Sequence, residues 1–201
     1  MAHEVIEFPG GRPPPDAAGL DPVTLERLLR PATEGRGFAA DAVPEAALEQ
    51  LHALMAVSPG MTGASPTRLL FITSPAARTR LAPHLSPRTR DAAMLAPACA
   101  VVGYDHGFAE QLIAFVGDGA AGESCFDRPG TLKATALRNG VLQGAYLALS
   151  ARALGLEAVF LHGYQAAAVG AEFFRDRSVS AIHVAALGYP AGPRPEPRSF
   201  G

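Results

Sequence analysis

Few side chains in this 201-residue chain have the type and spacing that catalysis or metal binding requires. The six histidines are scattered, and the two cysteines, Cys99 and Cys125, have neither metal-ligand spacing nor the pattern of a disulfide framework. No Gly-x-Ser-x-Gly elbow, P-loop or His-Glu-x-x-His motif occurs, and no Gly-x-Gly-x-x-Gly run follows a strand and opens a helix. We therefore expect no metal site and no catalytic side chain of a standard type. Both cysteines, and the histidines His52 and His183, are expected to be packing residues.

The composition is that of an ordinary globular protein. Apolar residues make up 48% of the chain and charged residues 18%, with a formal net charge of −2. This charge, without a basic stripe, argues against nucleic acid as a partner. The absence of a long apolar run or an export signal predicts no membrane segment and a cytoplasmic location.

One long apolar segment organises the rest of the chain. Residues 131–154 contain no proline and are rich in Ala and Leu, which predicts a helix that ends at Gly155 in a left-handed conformation. Apolar residues cover most of its circumference, so we expect burial on nearly all sides, in one core or between two subunits. Gly140, Gly144 and Ala148 lie four residues apart on one face, and we expect this face to admit another helix and to lie near the axis of a homodimer.

Shorter patterns predict the remaining elements. Residues 98–104 form a continuous apolar run typical of a central strand that is buried on both faces. Further strands are predicted at 68–73, 158–161 and 180–187, and helices after Asp21 and Pro44 and at 75–82, 87–95, 108–116 and 165–174. Proline-rich ends predict an extended arm over 1–20, one domain over 21–189, and a tail over 190–201 that lies on a partner subunit.

Four segments also occur in a characteristic order, namely Leu51–Phe71, Leu95–Val102, Ala145–Ala158 and Leu187–Pro190. Together they resemble the flavin-dependent nitroreductase family, above all its malonic semialdehyde reductase branch. The resemblance implies an α+β fold with a central mixed or antiparallel sheet flanked by helices. It further implies a homodimer built on the long helix, FMN bound between the subunits and NAD(P)H as co-substrate. The small-molecule substrate would be a semialdehyde, a quinone or a nitro compound.

The same resemblance assigns candidate cofactor-binding residues. The family's phosphate-binding loop corresponds to residues 32–36, its ring-covering loop to 59–66, and its strand-to-loop corner, whose main-chain amides face the flavin N5 and O4, to 160–163. The candidates in these segments, in the third helix and in the tail are Arg36, Pro59, Gly60, Met61, Gly63, Thr89, His162, Gly163, Arg194 and Arg198.

Some of these positions depart from the family pattern, which leaves a second hypothesis open. Glu34 stands where the family has a serine, and Gly63 replaces the family's asparagine. The alternative is a dimer of the same fold that binds flavin weakly or not at all and has a binding or structural role. Arg36 is equally explained as a solvated surface charge, and His162 as an ordinary loop histidine.

Overall fold

A computed structural model of the chain describes residues 19–29, 37–58, 66–108, 129–174 and 179–192. Several predicted features lie outside these residues: the arm over 1–18, the greater part of the helix over 108–116, Cys125, and the site candidates Arg36, Pro59, Gly60, Met61, Gly63, Arg194 and Arg198.

Four antiparallel strands form the central sheet. They are β1 (Thr67–Ile72), β2 (Ala98–Asp105), β3 (Glu157–Phe160) and β4 (Val179–Gly188), in the order β1-β2-β4-β3. Every residue of β2 is buried, which confirms the predicted central strand. Of the two sheet types that the sequence left open, the described strands form the antiparallel one.

Six helices in the described residues cover the two faces of the sheet. They are α1 (Pro22–Leu29), α2 (Glu45–Ala56), α3 (Pro75–Leu81), α4 (Pro87–Leu95), α5 (Pro129–Ala153) and α6 (Ala166–Phe173), with a 3₁₀ turn over Ala82–His84. Side chains alternate along β2, so Ala100 and Val102 face α2 and α5, whereas Cys99 and Val101 face α3, α4 and α6. Burial raises the pKa of the Cys99 thiol to about 12, as expected for a packing cysteine. The predicted α+β architecture is confirmed.

The long helix α5 begins two residues earlier than predicted and ends as expected. Pro129 is its first residue, where the missing N–H costs no hydrogen bond. At the other end Gly155 has φ +79°, its N–H donates to the Arg152 carbonyl, and the Leu156 N–H donates to the Ala151 carbonyl. These two bonds are those of a Schellman motif, which glycine favours because it lacks a Cβ.

The expected partner of the small-residue face of α5 is wrong. A Cβ on Gly140 would collide with the Ile182 side chain, and one on Gly144 would lie 2.5 Å from Cδ2 of His183, so the sheet strand β4 of the same chain covers this face. It therefore admits a strand rather than a helix, and it is not available at a dimer axis. The exposed apolar residues of α5 lie elsewhere, at Leu137, Val141 and Leu142, which are 41–48% exposed.

The start of the tail also differs from the expectation. The Ala39 N–H donates to the Tyr189 carbonyl over 2.9 Å, and the Ala191 N–H donates to the Gly37 carbonyl over 3.2 Å. Residues 189–191 therefore pair with residues 37–39 of their own chain, and the contact of the tail with a partner subunit stays a prediction. The predicted boundaries of the arm, domain and tail remain predictions.

Candidate functional site

The chain leaves the sheet at a tight corner that follows β3. The Leu161 N–H still donates to the Val184 carbonyl over 2.8 Å, and the chain then turns through His162 and Gly163. Gly163 has φ +80°, a conformation that costs an L-residue about 1–2 kcal/mol. A Cβ at this position would also lie 3.1 Å from the Ser86 hydroxyl oxygen. Two independent constraints thus favour glycine here.

Further hydrogen bonds connect the corner to the segment that precedes α4. The Ser86 N–H donates to the Gly163 carbonyl over 2.8 Å, and the Gln165 N–H donates to the His84 carbonyl over 2.9 Å. With the Leu161 bond to β4, the corner is anchored from both sides. Its backbone groups are consequently held in fixed directions.

Two consecutive backbone donors at this corner have no hydrogen-bond partner within the described part of the chain. They are the N–H groups of His162 and Gly163, both on exposed residues. Unpaired backbone donors need an acceptor wherever water is excluded. The pair could bind two neighbouring acceptor atoms of a ligand.

Of the ten residues predicted for the site, the structure brings three together. Thr89 lies next to the corner because its hydroxyl is 2.9 Å from the Ser86 hydroxyl, and it also donates to the Ser86 carbonyl over 3.1 Å. Its oxygen is thus engaged with the start of its own helix. His162 and Gly163 form the corner itself. The cation beside Thr89, Arg90, donates to the Ala82 and Leu85 carbonyls and so supports the 3₁₀ turn.

Sequence reasoning missed two residues that hold the corner. Ser86 precedes Pro87, a pair typical of a helix start, but nothing in the sequence shows that its N–H reaches Gly163. Tyr164 donates its hydroxyl to the Ile182 carbonyl over 2.5 Å, and burial raises the pKa of that hydroxyl. The Tyr164 hydroxyl thus bonds to the extra residue of a bulge in β4 that the sequence pattern does not reveal.

That bulge changes which face of the sheet the β4 side chains occupy. Val102 pairs with His183 but Gly103 pairs with Ala181, so Ile182 is an extra residue. Ile182 and His183 therefore both point toward α5, at Gly140 and Gly144. The His183 ring is half-buried, its centroid is 5.2 Å from that of Phe160, and its Nε2 has no hydrogen-bond partner among the described residues. Burial, and secondly His162, lowers the pKa of His183.

A second concavity of about 600 Å³ lies between α2 and the edge strand β1. Its described walls include Leu48, Leu69 and Phe71, with Glu49 and His52 also lining it, and none of Thr89, His162 and Gly163. His52 is exposed there, so its expected packing role is wrong. The described residues contain no group of three or more potential metal ligands and no helix apolar and long enough to span a membrane.

The sequence of this chain is similar to those of known proteins. The model of the Nitroreductase family matches residues 33–184. A Stenotrophomonas maltophilia protein named "Putative NADH dehydrogenase/NAD(P)H nitroreductase" is 39% identical over 172 residues, covering 85% of this chain and 87% of its own. HadB of Ralstonia pickettii, with the same descriptive name, is 35% identical over 180 residues, covering 88% of this chain and 92% of its own.

Solved structures share the fold at much lower identity. A crystal structure from Exiguobacterium sibiricum, described as a nitroreductase "in complex with FMN", has a TM-score of 0.71 and 17% identity. It covers 90% of this chain and 94% of its own. A nitroreductase family protein from Streptococcus pneumoniae has a TM-score of 0.72 at 13% identity, covering 88% and 94%. These two likenesses concern the fold alone.

Proposed function

Because the chain belongs to the nitroreductase family, we propose that it is a flavin-dependent oxidoreductase that uses NAD(P)H and holds FMN against the corner at His162 and Gly163. The observation that carries the proposal is the pair of adjacent N–H donors on an anchored, exposed corner. Relatives named NAD(P)H nitroreductase support the redox class and the co-substrate.

The corner fits the edge of a flavin ring. Oxidised flavin presents two neighbouring acceptors, N5 and O4, and consecutive backbone N–H groups are matched donors for them. When bound, the flavin would take a hydride from NAD(P)H and deliver it to the acceptor. The protein would orient the ring with the N–H groups of His162 and Gly163, and Thr89 would help by holding Ser86 against Gly163.

The phosphate of FMN would lie near Arg36 and Arg194. Each residue is close in the chain to one partner of the hydrogen bond between the Ala191 N–H and the Gly37 carbonyl, which brings the two segments together. Two cations suit a dianionic phosphate, and Arg198 could add a third. Residues 59–63, including Pro59, Gly60, Met61 and Gly63, would cover the ring as their likeness to the family's loop implies.

A homodimer is part of the proposal. Leu137, Val141 and Leu142 form an exposed apolar stripe on α5, the kind of surface that obligate interfaces bury. The stripe is distinct from the glycine face that β4 occupies. We place the subunit interface on this stripe, so the partner would approach α5 beside the face that β4 covers.

The acceptor is proposed to be a small semialdehyde, quinone or nitro compound. The test begins with the visible flavin spectrum of the purified protein, or with FMN titrated into it. NADH and NADPH are then assayed with succinic semialdehyde, benzoquinone and nitrobenzoate. Flavin reduction by either nicotinamide followed by reoxidation by one of these acceptors supports the proposal, and failure to bind FMN at millimolar concentration contradicts it.

The alternative is a dimer of this fold with impaired flavin binding and a non-catalytic role. Glu34 favours it, because a carboxylate replaces a serine beside the expected phosphate. Like charges 4 Å apart repel by about 4 kcal/mol at an effective dielectric of 20. A colourless dimer that ignores added FMN is the outcome that this alternative expects.

A further inference from the structure

Two histidines lie side by side at the end of β3. The pairing of β3 with β4 runs from Glu157 with Gly188 to Phe160 with Ala185, and the bond from the Leu161 N–H to the Val184 carbonyl continues it. The next pair in this register is His162 and His183. The His183 ring lies on the α5 side of the sheet, against the ring of Phe160, and His162 is its neighbour across the end of the strand pair.

Two local features give His183 its place beneath the corner. Its pairing with Val102 directs His183 toward α5, and the missing Cβ of Gly144 leaves room for the ring, since a Cβ there would lie 2.5 Å from Cδ2. The ring is half-buried and its Nε2 is without a hydrogen-bond partner in the described chain. A charged imidazolium is costly in such a place, and the pKa of His183 is lowered accordingly.

His162, by contrast, is exposed and bound by nothing in the described chain. The other titratable groups stand on the surrounding elements: His183 on β4, Tyr164 at the corner, His84 in the 3₁₀ turn, Arg88, Arg90 and Asp91 on α4, and Lys133, Arg138, Tyr146 and Arg152 on α5. The Tyr164 hydroxyl is already committed to the Ile182 carbonyl, and no described carboxylate hydrogen-bonds the His162 ring. Of the two adjacent histidines, His162 is thus the one whose ring is open to a ligand and to water.

We propose, on the premise of the function proposed above, that His162 donates the proton that accompanies hydride transfer to an aldehyde acceptor. Its backbone N–H faces the flavin edge in that proposal, so its side chain lies beside the place where the acceptor must bind. The hydride, which originates on NAD(P)H, forms the new C–H bond at the carbonyl carbon. The π pair of the carbonyl moves to oxygen, the oxygen takes the proton from the imidazolium, and water then returns a proton to the imidazole.

If His162 supplies this proton, its loss should affect the rates of aldehyde reduction and quinone reduction differently. An aldehyde oxygen becomes a strongly basic alkoxide if no proton arrives, whereas a quinone oxygen becomes a weakly basic phenolate. A positioned acid contributes about 10²- to 10⁴-fold to such a proton transfer. Loss of the acid should therefore slow aldehyde reduction far more than quinone reduction.

The test compares His162→Gln with His52→Gln in the flavin-loaded protein, because His52 is exposed on α2, in the concavity whose described lining includes neither Thr89 nor the corner residues His162 and Gly163. Stopped-flow absorbance measures flavin reduction by NAD(P)H, then reoxidation by succinic semialdehyde and by benzoquinone. In His162→Gln we expect normal flavin reduction, aldehyde reduction slowed at least 100-fold, quinone reduction slowed less than tenfold, and loss of the histidine ionisation from the pH profile of the aldehyde step. His52→Gln should match the wild type throughout.

A second measurement tests the same proposal without catalytic turnover. In the oxidised protein without NAD(P)H, succinic semialdehyde should shift the NMR resonances of the His162 ring, which are assigned by their absence in His162→Gln, and leave those of His52 in place. Normal flavin reduction with unchanged aldehyde reduction in His162→Gln would overturn this inference alone, as would an unperturbed His162 ring. A wild-type flavin that NAD(P)H does not reduce would overturn the proposed function and this inference with it.

Discussion

Replacing Gly163 by alanine should weaken flavin binding through the backbone of the corner. The substitution places a Cβ at φ +80°, which costs about 1–2 kcal/mol, and brings that Cβ to 3.1 Å from the Ser86 hydroxyl oxygen. The Ser86 side chain cannot easily move away from this Cβ, because its hydroxyl is hydrogen-bonded to the Thr89 hydroxyl over 2.9 Å. The corner must therefore shift, and the donors of His162 and Gly163 move with it.

Gly155→Ala is the matched control for this experiment. Gly155 has nearly the same φ, +79°, but nothing lies within 4 Å of its added Cβ, and it ends α5 away from the corner. Both variants should lose about 1–2 kcal/mol of unfolding free energy in urea. Only Gly163→Ala should also raise the Kd for FMN, by about fivefold if about 1 kcal/mol of hydrogen bonding is lost. Equal FMN affinity in the two variants would show that these donors do not hold the flavin.

Three further changes test other parts of the structure. Glu34→Ser should tighten FMN binding by about 1–3 kcal/mol, or about 5- to 150-fold by flavin fluorescence, and Arg36→Ala in that background should reverse most of the gain; unchanged affinity would place the phosphate elsewhere. Val141→Asp should convert a dimer to a monomer in light scattering, because it puts a charge into the proposed interface, and an undisturbed dimer would exclude α5 from the contact. Because the pKa of His183 is lowered in the folded protein, the unfolded chain, in which this pKa is near 6.5, binds the proton more readily. The contribution of His183 to the free energy of unfolding should therefore be fully present above pH 6.5 and be lost as the pH falls through the lowered pKa. Urea unfolding at several pH values should show this decline, and His183→Gln should reduce it.

The elements of this fold could be predicted because their causes are local. The apolar run at 98–104 fixed β2, and Gly155 fixed the end of α5 through a conformation that no other residue adopts as cheaply. Asp21 likewise caps α1, since its carboxylate accepts from the N–H groups of Val23 and Thr24. Each of these signals involves residues within a few positions of one another.

The sequence does not reveal which helices and strands pack against one another. The small residues on α5 indicate that another element packs closely against this helix. They do not distinguish a strand from a helix, because both need the same clearance, and the neighbour in the structure is β4. The bulge at Ile182 has no sequence marker, although it puts Ile182 on the α5 face beside His183. The positions of Ser86 and Tyr164 against the corner depend on segments far apart in the chain, so no local pattern contains them.

A site built on backbone donors explains why the fold can persist while its polar side chains change. The N–H groups of His162 and Gly163 are directed by Gly163, by β4 and by the segment before α4, and of these only the glycine depends on side-chain identity. Any non-proline residue at position 162 can therefore supply the backbone N–H, and its side chain can take on a second role. Solved structures keep this fold at 13–17% identity, a level at which backbone geometry is retained far better than individual side chains. On the proposed function, the departures at Glu34 and Gly63 would alter how strongly a flavin is held, whereas the corner would decide how its ring is oriented.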